Sequence, residues 1–108
     1  MRPHWEVCGE AEDGRQAVAQ ALQLQPDLII LDFKMPLFDG IQAAREICTT
    51  MPSTPIVMYT LYKTDDLEVA AKLVGVRSVV AKEDGVRNLL SAIDAELVSK
   101  GSQVRSPI

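Results

Sequence analysis

The chain has 108 residues, of which 47% are hydrophobic and 24% charged, and its formal net charge is −4. This length predicts one domain with a modest core, and the acidic balance argues against a nucleic-acid-binding surface, because phosphate binding requires clustered Lys and Arg. No apolar run is long enough to span a bilayer and no segment is typical of a signal peptide, so we expect a cytoplasmic protein without a membrane partner.

Taken in chain order, segments with strand character alternate with segments of helical periodicity. The predicted strands cover residues 5–9, 28–32, 55–60 and 76–81. The predicted helices run from Arg15 to Gln25, from a cap at Asp39 to Thr50–Pro52, from a cap at Asp65 or Asp66 to Gly75, and from Asp84-Gly85 to about residue 97. The alternation predicts a single α/β domain over residues 1–98, with a parallel sheet and right-handed crossovers. We expect the polar tail, residues 99–108, to be mobile and to carry no DNA-binding domain.

Each of the last three predicted strands leads directly to a polar side chain. Runs of β-branched and apolar residues end at Asp32, at Thr60 and at Lys82. Buried parallel strands deliver such side chains to the C-terminal edge of the sheet, where ligands gather in open α/β folds. We therefore expect a carboxylate, a hydroxyl and an ammonium group to converge on one site.

These three groups fit a phospho-acceptor site. A carboxylate such as that of Asp32 can accept a phosphoryl group as an acyl phosphate, provided that nearby groups offset the added negative charge. Lys82 would pair with one phosphoryl oxygen, and Thr60 would donate a hydrogen bond to another. The alternative is a buried ion pair between Asp32 and Lys82 that only fixes the strand ends. The convergence of three strand ends favours the phospho-acceptor site.

The segment Leu31-Asp32-x-x-Met35-Pro36-x-x-Asp39-Gly40 carries the clearest motif of the chain. It resembles the phospho-acceptor loop in the receiver domain of bacterial two-component response regulators. Residues 10–14 are similar to the start of the second helix in the subfamily usually joined to a LuxR-type helix-turn-helix. The resemblance covers residues 5 to about 98 and implies a flavodoxin-like receiver fold. It further implies that a sensor histidine kinase phosphorylates Asp32 to control a signalling or transcriptional output.

The resemblance implies a metal site for which this chain has only some of the ligands. In the family, an acidic pair on an earlier strand binds Mg²⁺ together with the acceptor aspartate and the backbone carbonyl two residues later. Here only Asp32 and the carbonyl of Lys34 correspond, so we expect a receiver truncated at its N-terminus to about four strands and four helices. Mg²⁺ requires near-octahedral oxygen coordination. We therefore expect weak Mg²⁺ binding, with the ammonium groups of Lys34 and Lys82 partly replacing the metal.

The switch that the resemblance implies would involve Thr60 and Val79. The family usually has a Tyr or Phe at the second position, and this aromatic side chain swings inward together with the hydroxyl. An aliphatic side chain at Val79 instead favours ordinary core packing. We therefore expect this conformational readout to be weakened.

The truncation also predicts open surfaces. Without the family's first strand and first helix, strand edges and an apolar sheet face would lack cover, and such surfaces favour association. A four-stranded sheet built from the chain's own strands is one repair. Association with a second copy is the other, and we expect a homo-oligomer.

Three other functions compete with the phospho-acceptor module. A degenerate receiver would act as a phosphorylation-independent interaction or dimerisation module. A haloacid-dehalogenase-like phosphatase also uses a strand-end aspartate, but it needs a second aspartate at the position of Lys34. A dinucleotide-binding fold is disfavoured because residues 9–14 lack the middle glycine of its phosphate-binding loop. We expect a non-enzymatic module, with at most autocatalysed phosphotransfer and dephosphorylation, that does not bind nucleic acid directly.

Overall fold

A parallel three-stranded sheet forms the centre of the computed structural model, which describes residues 5–6, 9–34, 39–98 and 104–105. The strands are β1 (Trp5–Glu6), β2 (Ile29–Leu31), β3 (Ile56–Thr60), β4 (Ser78–Ala81) and β5 (Val104–Arg105). The helices are α1 (Gly14–Leu24), α2 (Gly40–Thr50), α3 (Asp65–Leu73) and α4 (Val86–Val98), with a 3₁₀ turn at Lys82–Asp84. The α/β architecture with a parallel sheet is as the sequence predicts.

The central sheet has the strand order β2-β3-β4, and both pairs are parallel. Its strands alternate between the two faces, and each face has its own apolar cluster. One cluster joins the sheet to α1, α2 and α3 through fully buried side chains such as Ile29, Met58 and Ile47. The other joins it to α4 through side chains such as Val57 and Ile93. Helices on both faces bury these apolar strands, as a parallel sheet requires.

The first strand lies outside this sheet. Trp5 and Glu6 of β1 pair in parallel with Val104 and Arg105 of β5. Among the described residues, β1 does not pair with β2, β3 or β4, so the four-stranded sheet considered above is not formed. The β5 strand is an addition that the polar tail sequence does not predict. Residues 99–103 and 106–108 of the tail, and residues 7–8 of the predicted first strand, lie outside the described residues.

Side-chain caps fix where α1, α2 and α3 begin. Asp13 caps α1, and Asp39 caps α2 through a reciprocal capping box. The prediction that Asp65 or Asp66 caps α3 is wrong. The cap is Thr64, whose hydroxyl accepts a hydrogen bond from the Leu67 amide at 3.0 Å. The two aspartates lie in the first turn, where their charge favours the positive end of the helix dipole.

Gly75 directly follows the C-cap residue Val74 at the end of α3, as the sequence predicts. Its φ of +109° suits glycine, and an added Cβ would lie 2.7 Å from the Cys48 sulfur atom on α2. Burial raises the pKa of the Cys48 thiol, and the charge of Arg77 opposes this effect. Cys48 therefore acts as a small apolar residue that packs against the Gly75 turn.

Among the described residues, every helix is too short or too polar to cross a lipid bilayer.

The Gly75 turn gives a testable prediction about stability. Gly75→Ala and Gly85→Ala should each lower the free energy of unfolding by about 1–3 kcal/mol, because both positions have positive φ. Only an added Cβ at Gly75 meets Cys48, whereas at Gly85 it meets nothing within 4 Å. A Cys48→Ala background should thus reduce the cost of Gly75→Ala and leave that of Gly85→Ala unchanged. Urea unfolding followed by circular dichroism measures both costs, and an equal change for the two glycines would contradict the packing described.

Candidate functional site

Three segments of the central sheet end side by side at its C-terminal edge. Leu31, directly before Asp32, is paired with Met58, and Thr60 is paired with Ala81, directly before Lys82. This parallel register brings Asp32, Thr60 and Lys82 to one edge of the sheet, as the apolar strand sequences predict.

Asp32 and Lys82 form a direct ion pair. The Lys82 Nζ atom donates a hydrogen bond of 2.6 Å to Asp32 Oδ2. The other carboxylate oxygen, Oδ1, accepts a hydrogen bond of 3.2 Å from the Lys34 amide. The side chains of Asp32 and Lys82 remain 30% and 35% exposed, so the carboxylate is held in place and still open to a reactant from solvent.

Thr60 is fully buried at the end of β3. Its hydroxyl oxygen accepts a hydrogen bond of 3.1 Å from the Tyr62 amide. A hydroxyl has two acceptor positions and one donor proton, so this bond leaves the proton of Thr60 for another acceptor. The hydroxyl is thus tied to the loop between β3 and α3 while it keeps its capacity to donate.

Val79 is 5% exposed and belongs to the apolar cluster beneath α2 and α3. The prediction that it packs as ordinary core is confirmed. Its aliphatic side chain has no polar group that could follow a movement of Thr60.

Two aromatic rings that sequence reasoning missed lie beside the lysines of the site. The Lys34 Nζ atom lies 5.6 Å from the centre of the Tyr62 ring, and the Lys82 Nζ atom lies 5.7 Å from that of Tyr59. Both distances are typical of cation–π contacts. The only sequence signal is the position of the tyrosines on either side of Thr60, which does not specify how loop side chains pack.

Gly40 lies directly against the backbone of the loop that carries Asp32. Its amide donates a hydrogen bond of 2.9 Å to the Phe33 carbonyl oxygen. A Cβ at this position would collide with the Asp32 carbonyl oxygen and would lie 2.8 Å from the Phe33 Cα atom. Glycine therefore allows the start of α2 to rest directly on the loop that carries Asp32, while Asp39 caps the helix.

The described residues do not fit a resident Mg²⁺ ion. Within residues 9–34 and 39–98, no group of three or more His, Cys, Asp or Glu side chains could hold a metal ion. Asp32 and the Lys34 carbonyl could supply oxygen ligands, but Asp32 already accepts hydrogen bonds at both oxygens. Mg²⁺ needs near-ideal octahedral oxygen coordination. This ligand set is too small for the ion without further donors.

Comparison with protein families identifies the family to which this fold belongs. The family sequence model described as the response regulator receiver domain matches residues 2–94 of this chain. The chain belongs to the response regulator receiver family. The receiver match includes Asp32, Thr60 and Lys82 and all of the central sheet.

Curated relatives carry a similar region within longer proteins. The transcriptional regulatory protein PdtaR of Mycobacterium tuberculosis is 40% identical over 90 residues, which are 83% of this chain and 43% of that protein. A protein-glutamate methylesterase/protein-glutamine glutaminase of Archaeoglobus fulgidus is 38% identical over 96 residues, which are 88% of this chain and 28% of that protein. This receiver chain spans less than half the length of these relatives, which differ from one another in the activities their names describe.

Solved structures show the same fold. The crystal structure of a LuxR-family two-component response regulator from Aurantimonas sp. SI85-9A1 matches with a TM-score of 0.86 at 26% identity. The match covers 96% of this chain and 72% of that one. The predicted flavodoxin-like receiver fold and the similarity to LuxR-type regulators are confirmed.

The ion pair at the sheet edge should contribute more to stability than a surface pair of the same receiver. A double-mutant cycle with Asp32→Asn and Lys82→Gln should give a coupling free energy of about 1 kcal/mol, because the pair is short and partly shielded. The matched control is Glu68 with Lys72, 3.9 Å apart on the surface of α3, where we expect about 0.3 kcal/mol. Urea unfolding of the single and double variants measures both couplings, and equal values would contradict the prediction.

Proposed function

We propose that this receiver accepts a phosphoryl group on Asp32 from a sensor histidine kinase and thereby controls a signalling or transcriptional output. The observation that carries the proposal is the 2.6 Å contact between Lys82 Nζ and Asp32 Oδ2 at the C-terminal edge of the sheet. It supplies a nucleophile and a cation for the incoming phosphoryl group in one place, and the partial exposure of both groups supports access from solvent.

The proposed reaction is a transfer between two nucleophiles. A carboxylate oxygen of Asp32 forms a bond to phosphorus while the bond between phosphorus and a phosphohistidine nitrogen of the kinase breaks. The histidine nitrogen leaves with the electron pair of that bond. Asp32 then carries an acyl phosphate, and Lys82 pairs with its oxygens and stabilises the charge that develops during transfer. Thr60 would donate its free proton to another phosphoryl oxygen.

The small number of metal ligands determines how phosphorylation should depend on Mg²⁺. Because Asp32 and the Lys34 carbonyl are too few for octahedral coordination, we expect Mg²⁺ to bind weakly to this chain and to raise its phosphorylation rate only at high concentration. We also infer a cytoplasmic location, a kinase as partner and no direct contact with nucleic acid. The last of these is supported by the net charge of −4.

Acetyl phosphate, a small phosphodonor, tests the acceptor directly. The 108-residue chain should gain the mass of one phosphoryl group in intact-mass spectrometry, and the Asp32→Asn variant should not. The matched control is Asp39→Asn, because asparagine also caps helices well and the capping site is retained. Lys82→Gln should slow the gain about tenfold or more, since it removes the cation that offsets the transferred charge.

The same measurement with and without Mg²⁺ reports the metal requirement. Hydroxylamine, which cleaves acyl phosphates, should remove the added mass. A mass gain that persists in Asp32→Asn would overturn the assignment of the acceptor. No gain at any Mg²⁺ concentration would overturn the proposal as a whole.

The second candidate is a phosphorylation-independent interaction or dimerisation module. Among the described residues, β2 has a hydrogen-bonded neighbour on one side only, and the second sheet face packs against α4 alone. Both features favour association with a second copy of the chain. On this proposal the chain is a homo-oligomer whether or not Asp32 carries a phosphoryl group.

Sedimentation velocity over a range of protein concentrations tests this candidate. The wild type, before and after acetyl phosphate treatment, and the Asp32→Asn variant should show the same concentration-dependent increase in mass. A monomer at all concentrations in every sample would exclude the dimerisation module. An increase confined to the phosphorylated wild type would favour the phospho-acceptor function instead.

A further inference from the structure

Lys34 is a cation beside the Asp32 carboxylate whose ammonium group lies near an aromatic ring. Its backbone amide donates to Asp32 Oδ1, while its Nζ atom lies 5.6 Å from the centre of the Tyr62 ring. We propose that Lys34 is a second phosphoryl-binding residue, which lies over Tyr62 while Asp32 is unmodified and moves to the phosphoryl group once Asp32 is phosphorylated. This inference rests on the proposed function.

The charges at the site support such a movement. The negative charge of Asp32 is matched by the ammonium group of Lys82 at 2.6 Å. A phosphoryl group adds a charge of about −1.5 to −2 and three strong acceptor oxygens, which Lys82 alone does not balance. The described residues supply too few ligands for a resident metal ion at this place. Lys34 follows Asp32 by two positions and is exposed, so its long side chain can turn without disturbing the core.

The contact that Lys34 would leave is a weak one. Tyr62 is 49% exposed, so water competes with the ring for the ammonium group. A phosphoryl oxygen offers a full negative charge and a charge-assisted hydrogen bond, whereas the ring offers only its quadrupole. The unmodified protein therefore holds Lys34 close to the site by an interaction that a phosphoryl group can displace.

Tyr62 is connected to the acceptor in two ways. Its ring contacts Lys34, and its amide donates to the buried hydroxyl of Thr60. Lys34 would turn toward the new phosphoryl oxygens, so phosphorylation would release the Tyr62 ring, while the Thr60 hydroxyl could donate its proton to the same oxygens and still accept from the Tyr62 amide. The adjacent Leu61 and Tyr62 side chains are exposed, and the surface they form would change.

Nuclear magnetic resonance of the full chain with ¹³C-labelled tyrosine rings tests this movement. Tyr62→Leu assigns the ring signals. Before phosphorylation, Lys34→Gln should shift the Tyr62 signals, and the matched control Lys63→Gln, which removes an exposed charge from the next residue, should leave them in place. After acetyl phosphate treatment, the wild-type Tyr62 signals should move to the positions seen in Lys34→Gln. The signals of Lys34→Gln itself should move much less.

Intact mass measured on the same samples distinguishes a failure of the Lys34 movement from a failure of the proposed phosphorylation of Asp32. Phosphorylation of Asp32 with unchanged Tyr62 signals would overturn the movement of Lys34 and leave the proposed function standing. Absence of phosphorylation in the wild type would overturn the proposed function and, with it, the role of Lys34. Tyr62 signals that are the same in the wild type and in unphosphorylated Lys34→Gln would also overturn the proposal, because the starting contact would then be absent in solution.

Discussion

The proposed chemistry depends on the hydrogen-bonded ion pair between Lys82 and Asp32, which the parallel register of the central sheet makes possible. This ion pair joins the ends of β2 and β4, which are separated in the sheet by β3. The parallel register of the three strands brings the two side chains together, and the apolar clusters on both faces hold that register. A slip of one residue in any strand would move its apolar side chains to the opposite face, so core packing and site geometry depend on the same pairing.

The site combines a rigid part with an adaptable part. Asp32 and Lys82 directly follow β2 and β4, the buried Thr60 is the last residue of β3, and Gly40 holds the loop after Asp32 against the start of α2. Lys34 and Tyr62 lie in exposed connections and interact through a weaker contact. The proposed phosphoryl transfer uses the rigid part to position the reacting atoms, whereas the proposed response uses side chains that can move at little cost.

The sequence predicts the rigid part well and the adaptable part poorly, for physical reasons. Apolar runs with a polar end specify buried strands and place Asp32, Thr60 and Lys82 at one edge, because burial of those runs dominates the folding free energy. The cap at Thr64 was missed in favour of its acidic neighbours, since several residues with similar capping preference adjoin one another. Lys34 contacts the Tyr62 ring and Lys82 contacts the Tyr59 ring through weak interactions between distant segments. The pairing of β1 with β5 also joins distant segments. No local pattern encodes them.

The close contact between Gly40 and the backbone of Asp32 and Phe33 has a mechanical consequence for α2. No side chain separates the first residue of this helix from the loop that carries Asp32, so a displacement of the loop passes to the helix without being absorbed by rotamer changes. A helix of 11 residues is about 16 Å long. A tilt of a few degrees at Gly40 therefore moves Thr50, at the far end, by roughly 1 Å.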